Sequence, residues 1–233
     1  DGHVRLSDVL ALPEFSFPGH TVKEVEELVA GKDEKKRFQL RRSGGELWIR
    51  ANQGHTMRCV QDDKLLQPIS PGGEVPCCVH GTFLGAWESI VADGGLSRMT
   101  RNHVHFAPRP PGADLVISGM RSDCEVAVYV SVARAMAGGG VRFFRSANDV
   151  ILTPGDERGM VSCEYFERAV RLLDGAVLWP RPADGSALPP IPALKPAQAS
   201  DTRILPVPVA AGSADSSDDE EIVFGRAILG PAR

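Results

Sequence analysis

Apolar residues recur at Val22, Val25, Leu28 and Val29, the spacing of one helical face, behind a Thr21–Glu24 pair that reads as a capping box. Gly31 is the expected stop of that helix, and Ser7 is a candidate cap for a shorter one through Leu10. The period then changes. Arg37-Phe-Gln-Leu-Arg-Arg42 and Glu46-Leu-Trp-Ile-Arg50 alternate polar and apolar positions around Ser43-Gly44-Gly45, a hairpin signal. The alternation puts Arg37 and Arg41 on the face opposite Phe38 and Leu40. Two helices and a hairpin over residues 1–58 predict a winged-helix-like lobe, a shape often used on nucleic acids.

Farther along, Cys77-Cys78-Val79 predicts a buried strand leading into His80-Gly81-Thr82. Trp87, Ile90 and Val91 predict a helix stopped by Gly94-Gly95, and Glu125–Val130 a strand. Gly138-Gly139-Gly140 is expected as a turn, Val150-Ile151-Leu152 as a short buried strand, and Glu164–Leu173 as a helix. Such a mixture predicts an α+β lobe over 75–175, with 59–74 as a linker. From Pro180 onward lie nine of the 18 prolines and the acidic run Ser216-Ser217-Asp218-Asp219-Glu220-Glu221. Residues 180–233 are therefore expected to form a disordered tail.

At 233 residues and 42% hydrophobic, the chain suffices for one core or two small ones. A net charge of −4 excludes a uniformly basic coat, but it hides a local patch. From Lys32 to Arg58 eight basic residues face three acidic ones. Five cysteines without CxxC spacing argue against a disulfide framework or structural zinc, and for a reducing compartment, cytoplasmic or nuclear. Cys77 and Cys78 read as packing residues, and the triple glycine lacks the Lys-Ser/Thr of a phosphate loop. No apolar run approaches a membrane span, and the chain opens at Asp1-Gly2 instead of a methionine, as a fragment would.

The chemistry is concentrated in three histidine-bearing motifs: Arg50-Ala-Asn-Gln-Gly-His-Thr56, Val79-His-Gly-Thr82 and His103-Val-His-Phe106. Histidines beside Gly and Thr suit ribose hydroxyls, and the arginine fork suits phosphate oxygens, so nucleotides or phosphorylated RNA are the expected ligands. Singly, His80 or His105 reads as a structural histidine and Arg37 as a solvated one. Their order carries more. Asp33-Glu-Lys-Lys-Arg-Phe38, Arg50–Thr56, His80-Gly-Thr82, Arg101-Asn-His-Val-His105, Ser118-Gly119 and Ser146-Ala-Asn-Asp-Val-Ile-Leu-Thr153 together resemble the tRNA 2′-phosphotransferases, over residues 1 to about 170.

The resemblance implies a winged-helix-like RNA lobe followed by an ADP-ribosyltransferase-like lobe that binds NAD as co-substrate, without a metal. It implies transfer of a splice-junction 2′-phosphate from RNA, ligated tRNA in particular, to NAD by a monomer. By position, Arg37 and Arg101 are the implied catalytic arginines. His80, Gly81 and Thr82 resemble the strand that grips nicotinamide. His105 stands where related transferases stack a tyrosine, and Val150 where they carry a glutamate. Arg50 and His55 are candidate RNA or phosphate contacts. Two departures stand out. The family's Leu-Arg-His motif, expected upstream of Asp1, is not in this sequence, so the alternative is a catalytically impaired RNA- and NAD-binding protein. Asp149 occupies a position where glycine is usual in the family.

Overall fold

The chain begins extended. Val4–Arg5 (β1) pairs antiparallel with Ile49 and Trp48, and helix α1 (Leu6–Leu10) starts only after it. Arg5 therefore holds the cap position without a side-chain bond, and Ser7 lies inside the helix instead of capping it. This computed structural model describes residues 1–16, 20–73, 75, 77–111 and 119–180. The expected acidic tail lies outside them, apart from Pro180.

After α2 (Pro13–Ser16), α3 (Val22–Glu27) opens on the expected capping box, with both reciprocal Thr21–Glu24 bonds present. Gly31 does not stop it. The helix widens into a π turn, Leu28–Lys32, and ends at Asp33. Strands β2 (Phe38–Ser43) and β3 (Glu46–Ala51) form the hairpin. Gly44 and Gly45 both take positive φ, as a tight two-residue turn between Ser43 and Glu46 requires. β3 is central, in the order β1-β3-β2. Leu6, Val9, Phe15, Val25, Phe38 and Ile49 fill the core between helices and sheet.

The stretch expected as a linker is structured. It carries α4 (Asp62–Leu65) and β4 (Gln67–Pro68), and its Val60, Leu65 and Leu66 are buried against Phe144, Val150 and Leu152. The rest comprises β5 (Val79–Thr82), α5 (Leu84–Ala92), β6 (Gly95–Ser97), β7 (Val104–Phe106), β8 (Val126–Val130), α6 (Val132–Gly139), β9 (Phe144–Arg145), β10 (Ile151–Thr153), β11 (Met160–Ser162), β12 (Phe166–Arg171) and β13 (Val177–Trp179). Two four-stranded sheets, β4-β9-β10-β7 and β13-β12-β8-β5, enclose the larger core with the β11-β6 pair. They meet where Val79 and Ala107 exchange backbone bonds of 3.1 and 2.8 Å. β5 and β7 thus lie side by side, which matters for the site.

Three expectations fail here. Cys77 and Cys78 precede β5 and do not belong to it. Gly138 and Gly139 are helical, and only Gly140, at φ 61°, turns the chain as the left-handed end of α6. Residues 164–173 are a short 3-10 turn, Cys163–Tyr165, followed by β12. Bulges in β12 next to both neighbouring strands interrupt its alternation, leaving Phe166, Ala169 and Val170 buried at a helical spacing.

Candidate active site

Arg37 stands outside the hairpin ladder, on the loop from Asp33 to Phe38, and three groups hold that loop. The buried Asp33 carboxylate accepts from the backbone N–H of Arg37 and, at 3.1 Å, from that of Phe38. Its other oxygen lies 3.2 Å from the Arg37 guanidinium, whose side chain is 36% exposed. From the end of β3, Asn52 donates its N–H to the Arg37 carbonyl (2.7 Å) and its Nδ2 to that of Lys36 (2.8 Å). Lys36 sits at φ 48°, a conformation that this bond secures. From the loop before β10, Asn148 Nδ2 donates to the Lys35 carbonyl at 3.0 Å. Ser146 fixes that carboxamide by donating to its Oδ1 at 2.7 Å, while accepting from Val150 N at 3.0 Å. The buried Val150 is thereby tied to the loop that carries Arg37.

Lys35 also donates to the Met120 carbonyl at 3.5 Å, and Met120 leads to His80-Gly81-Thr82. A Cβ on Gly81 would stand 2.4 Å from Met120 Cγ and 2.6 Å from Cys124 Sγ, so these side chains pack directly onto the strand. Gly119, at φ 87°, lets the same segment press against the Phe106 carbonyl and Val150. Ser118 lies outside the described residues.

His80 and His105 are joined across β5 and β7. His80 Nδ1 lies 2.9 Å from the His105 carbonyl; since a carbonyl only accepts, Nδ1 carries the proton. Burial pushes the His105 imidazole down to about 3, helped by the positive charge of Arg101 and by His103 and His80. A hydrogen bond at the His103 backbone opposes this. His105 Nε2 is shut off from solvent and has no hydrogen-bond partner among the described residues. It is therefore a neutral ring whose Nε2 is enclosed by the protein without a donor.

Arg101 ends the turn before β7, where Arg98 Nη1 donates to its carbonyl at 2.8 Å. The next residue, Asn102, couples this turn to the hairpin lobe: its N–H reaches the His55 carbonyl at 2.9 Å and its Nδ2 that of Met57 at 3.0 Å. The His55 imidazole is held below the ordinary histidine range by burial, then by His103 and Arg50. Arg50 stands apart from this assembly, bound to Gln39 Oε1 (2.8 Å) and the Asp1 carbonyl (3.1 Å). Burial, then Arg41, lowers its pKa.

The fold thus gathers Arg37, Val150, His80 and Gly81 through one connected set of loops, sets the buried Thr82 at the end of β5, and places Arg101 and His55 around β7. Sequence reasoning gave no role to Asp33, Asn52, Asn102 or Asn148. For Asp33, Asn52 and Asn102 the available signal was a carboxylate or carboxamide a few residues from a candidate arginine; Asn148 had none. Asp149 keeps φ 67° despite its Cβ, with its carboxylate hydrogen-bonded to Arg145 and 3.7 Å from Arg109. Two cations therefore balance the charge of Asp149. Among the described residues no cluster has the make-up of a metal site, and no helix is long and apolar enough to cross a membrane.

A zebrafish (Danio rerio) protein named tRNA 2′-phosphotransferase 1 is 45% identical over 176 residues, 74% of this chain and 75% of that protein. The human (Homo sapiens) protein of the same name is 44% identical over 174 residues, covering 74% of this chain and 66% of its own length. The tRNA 2′-phosphotransferase of Saccharomyces cerevisiae is 34% identical over 156 residues, 66% of this chain and 67% of that protein. Residues 1–155 match the family model described as RNA 2′-phosphotransferase, Tpt1 / KptA family, and the chain belongs to that family.

Proposed function

We propose that this protein removes an internal 2′-phosphate from RNA, in ligated tRNA, by transferring it to NAD. The 2′-phosphate attacks the nicotinamide ribose carbon and nicotinamide leaves. The neighbouring ribose hydroxyl then attacks phosphorus, giving RNA with a 2′-hydroxyl and ADP-ribose 1″,2″-cyclic phosphate. NAD supplies the glycosidic bond whose cleavage drives the first step, and the phosphate dianion is already a nucleophile. The buried, apolar Val150 suits such chemistry, because no general base is required at that position.

In this reading His80, Gly81, Thr82 and His105 receive the nicotinamide half of NAD. Arg37 and Arg101 hold the phosphate and balance charge during transfer, a role worth several kcal/mol of barrier where such donors are preorganised. The hairpin and its helices, read as a winged-helix-like lobe, present their basic face to the RNA. What carries the reading is the Asn148–Lys35 bond, which fixes the Arg37 loop onto the loop of Val150. Incubation with NAD and an internally 2′-phosphorylated oligoribonucleotide, with products identified by mass, tests it. Loss of one phosphate with release of nicotinamide supports the proposal. An intact phosphate denies it, and an ADP-ribose adduct retained on the RNA would mean that only the first step occurs.

A further inference from the structure

Behind the turn that carries Arg101 lies an open groove of about 450 Å³, separate from the loops of Arg37 and Val150. Its walls are the segment after the hairpin (Arg58 to Asp62), the turn before β7 (Arg98 and Asn102) and the turn after β10 (Pro154 and Asp156). Two cations and two carboxylates face it, but their engagements differ. Asp62 Oδ1 lies 3.2 Å from His103 Nε2. Asp156 accepts from the backbone N–H groups of Arg158 and Met160 at 2.9 Å, and from the Arg158 guanidinium. Asp156 is thus occupied inside the protein, while among the described residues Asp62 faces only the His103 ring. Neither arginine is held by an acid among the described residues. Arg58 is exposed and makes no hydrogen bond or ion pair among the described residues. Arg98 is seated over Gly159, where an added Cβ would meet its Nε at 2.4 Å, and spends Nη1 on the Arg101 carbonyl. No carboxylate pairs with it among the described residues.

The groove is also aligned with the site. Arg98 bonds the backbone of Arg101, and Asn102 bonds His55 and Met57, which lead into Arg58. Two arginines free of carboxylate partners, on segments bonded to the turn that carries Arg101, match the backbone phosphate of a single strand.

We propose that this groove binds the nucleotide flanking the 2′-phosphorylated one, with its phosphodiester on Arg58 and Arg98. The inference rests on the functional reading above for the identity of the ligand as RNA. Its test is binding without NAD, so that turnover plays no part. The full chain and its Arg58→Ala variant are titrated with a labelled 2′-phosphorylated mononucleoside, which lacks any flanking phosphodiester, and with the same unit extended by three nucleotides on either side. Arg58→Ala should weaken the extended strand about tenfold and the mononucleoside by less than about twofold. The salt dependence of the extended strand should become shallower by about 0.7 in log–log slope, one phosphate contact of a single strand. Arg58→Lys should restore part of the affinity, as a point charge without the fork. Equal loss for both ligands, or no loss, overturns the groove. An inactive chain that still shows the length-dependent loss sinks the reaction and keeps the groove; an active one without it does the reverse.

Discussion

Asn148 Nδ2 donates to the Lys35 carbonyl at 3.0 Å across 113 residues of sequence, and this bond joins the two candidate motifs. Both partners are immobilised from behind, Asn148 by Ser146 and the Lys35 loop by Asp33 and Asn52. Asn148→Ala should cost about 1–3 kcal/mol of stability, the range for an unpaired buried partner. The activity loss should exceed that share, because misplacing a reacting group by about 1 Å can cost about a hundredfold. Thermal melts alongside kcat/KM measure both. An unchanged kcat/KM would show that the bond does not position Arg37.

Asp33 is the second support of Arg37, and its side chain is almost wholly buried. Asp33→Ala removes the acceptor of two backbone N–H groups and the counter-charge of the guanidinium at once. A loss of about 3 kcal/mol in denaturant unfolding is expected. Asp33→Asn, which keeps an acceptor but not the charge, should fall between the two.

Gly119 tests the close approach of its segment to β7 and Val150. At φ 87°, with an added Cβ 2.7 Å from the Phe106 carbonyl and 2.9 Å from Val150 Cγ1, Gly119→Ala has neither a favoured backbone nor room. A cost of about 2 kcal/mol or more is expected by chemical denaturation, whereas the exposed helical Gly85→Ala, where nothing lies within 4 Å, should stabilise by about 0.4–1 kcal/mol.

Acid should destabilise the fold through its histidines. Burial pushes His3 to about 4 and His105 to about 3, both below the 6.5 of an unfolded chain. Below about pH 6.5 the unfolded chain takes up protons that the folded one refuses, so stability falls as pH drops towards 4 and then 3. The slope should vanish above about pH 7.5 for these groups. Melting temperature against pH for the protein and for His105→Gln reads it; an unchanged slope in the variant would mean that His105 is not the buried neutral ring described above.

The hairpin, the capping box and the strands around Val128 and Ile151 were legible because local chemistry and tertiary packing agree there. Where they disagree, the sequence misleads. Residues 166–171 space their buried side chains like a helix only because bulges break the alternation, and a bulge depends on strand partners far away in sequence. Gly31 marks a stop that the π turn passes, since closure waits for Asp33. For the candidate site, ordered motifs single out Arg37, His80 and His105. The supports Asn148 and Asn52 were not, because a carboxamide reveals its role only when the carbonyl it reaches is known.

The central claim is that Arg37 and Arg101 act on one phosphoryl group, and a double-mutant cycle tests it without requiring turnover. The quantity measured is the gain in oligonucleotide affinity conferred by the 2′-phosphate, taken as the ratio of Kd values for the 2′-hydroxyl and 2′-phosphate strands. It is determined for the protein, Arg37→Lys, Arg101→Lys and the double variant. If both forks hold the same phosphate, each single change should erase most of the gain and the double change should add little, a coupling of about 0.5–3 kcal/mol. Independent, additive losses, or a gain untouched by either substitution, would contradict the account.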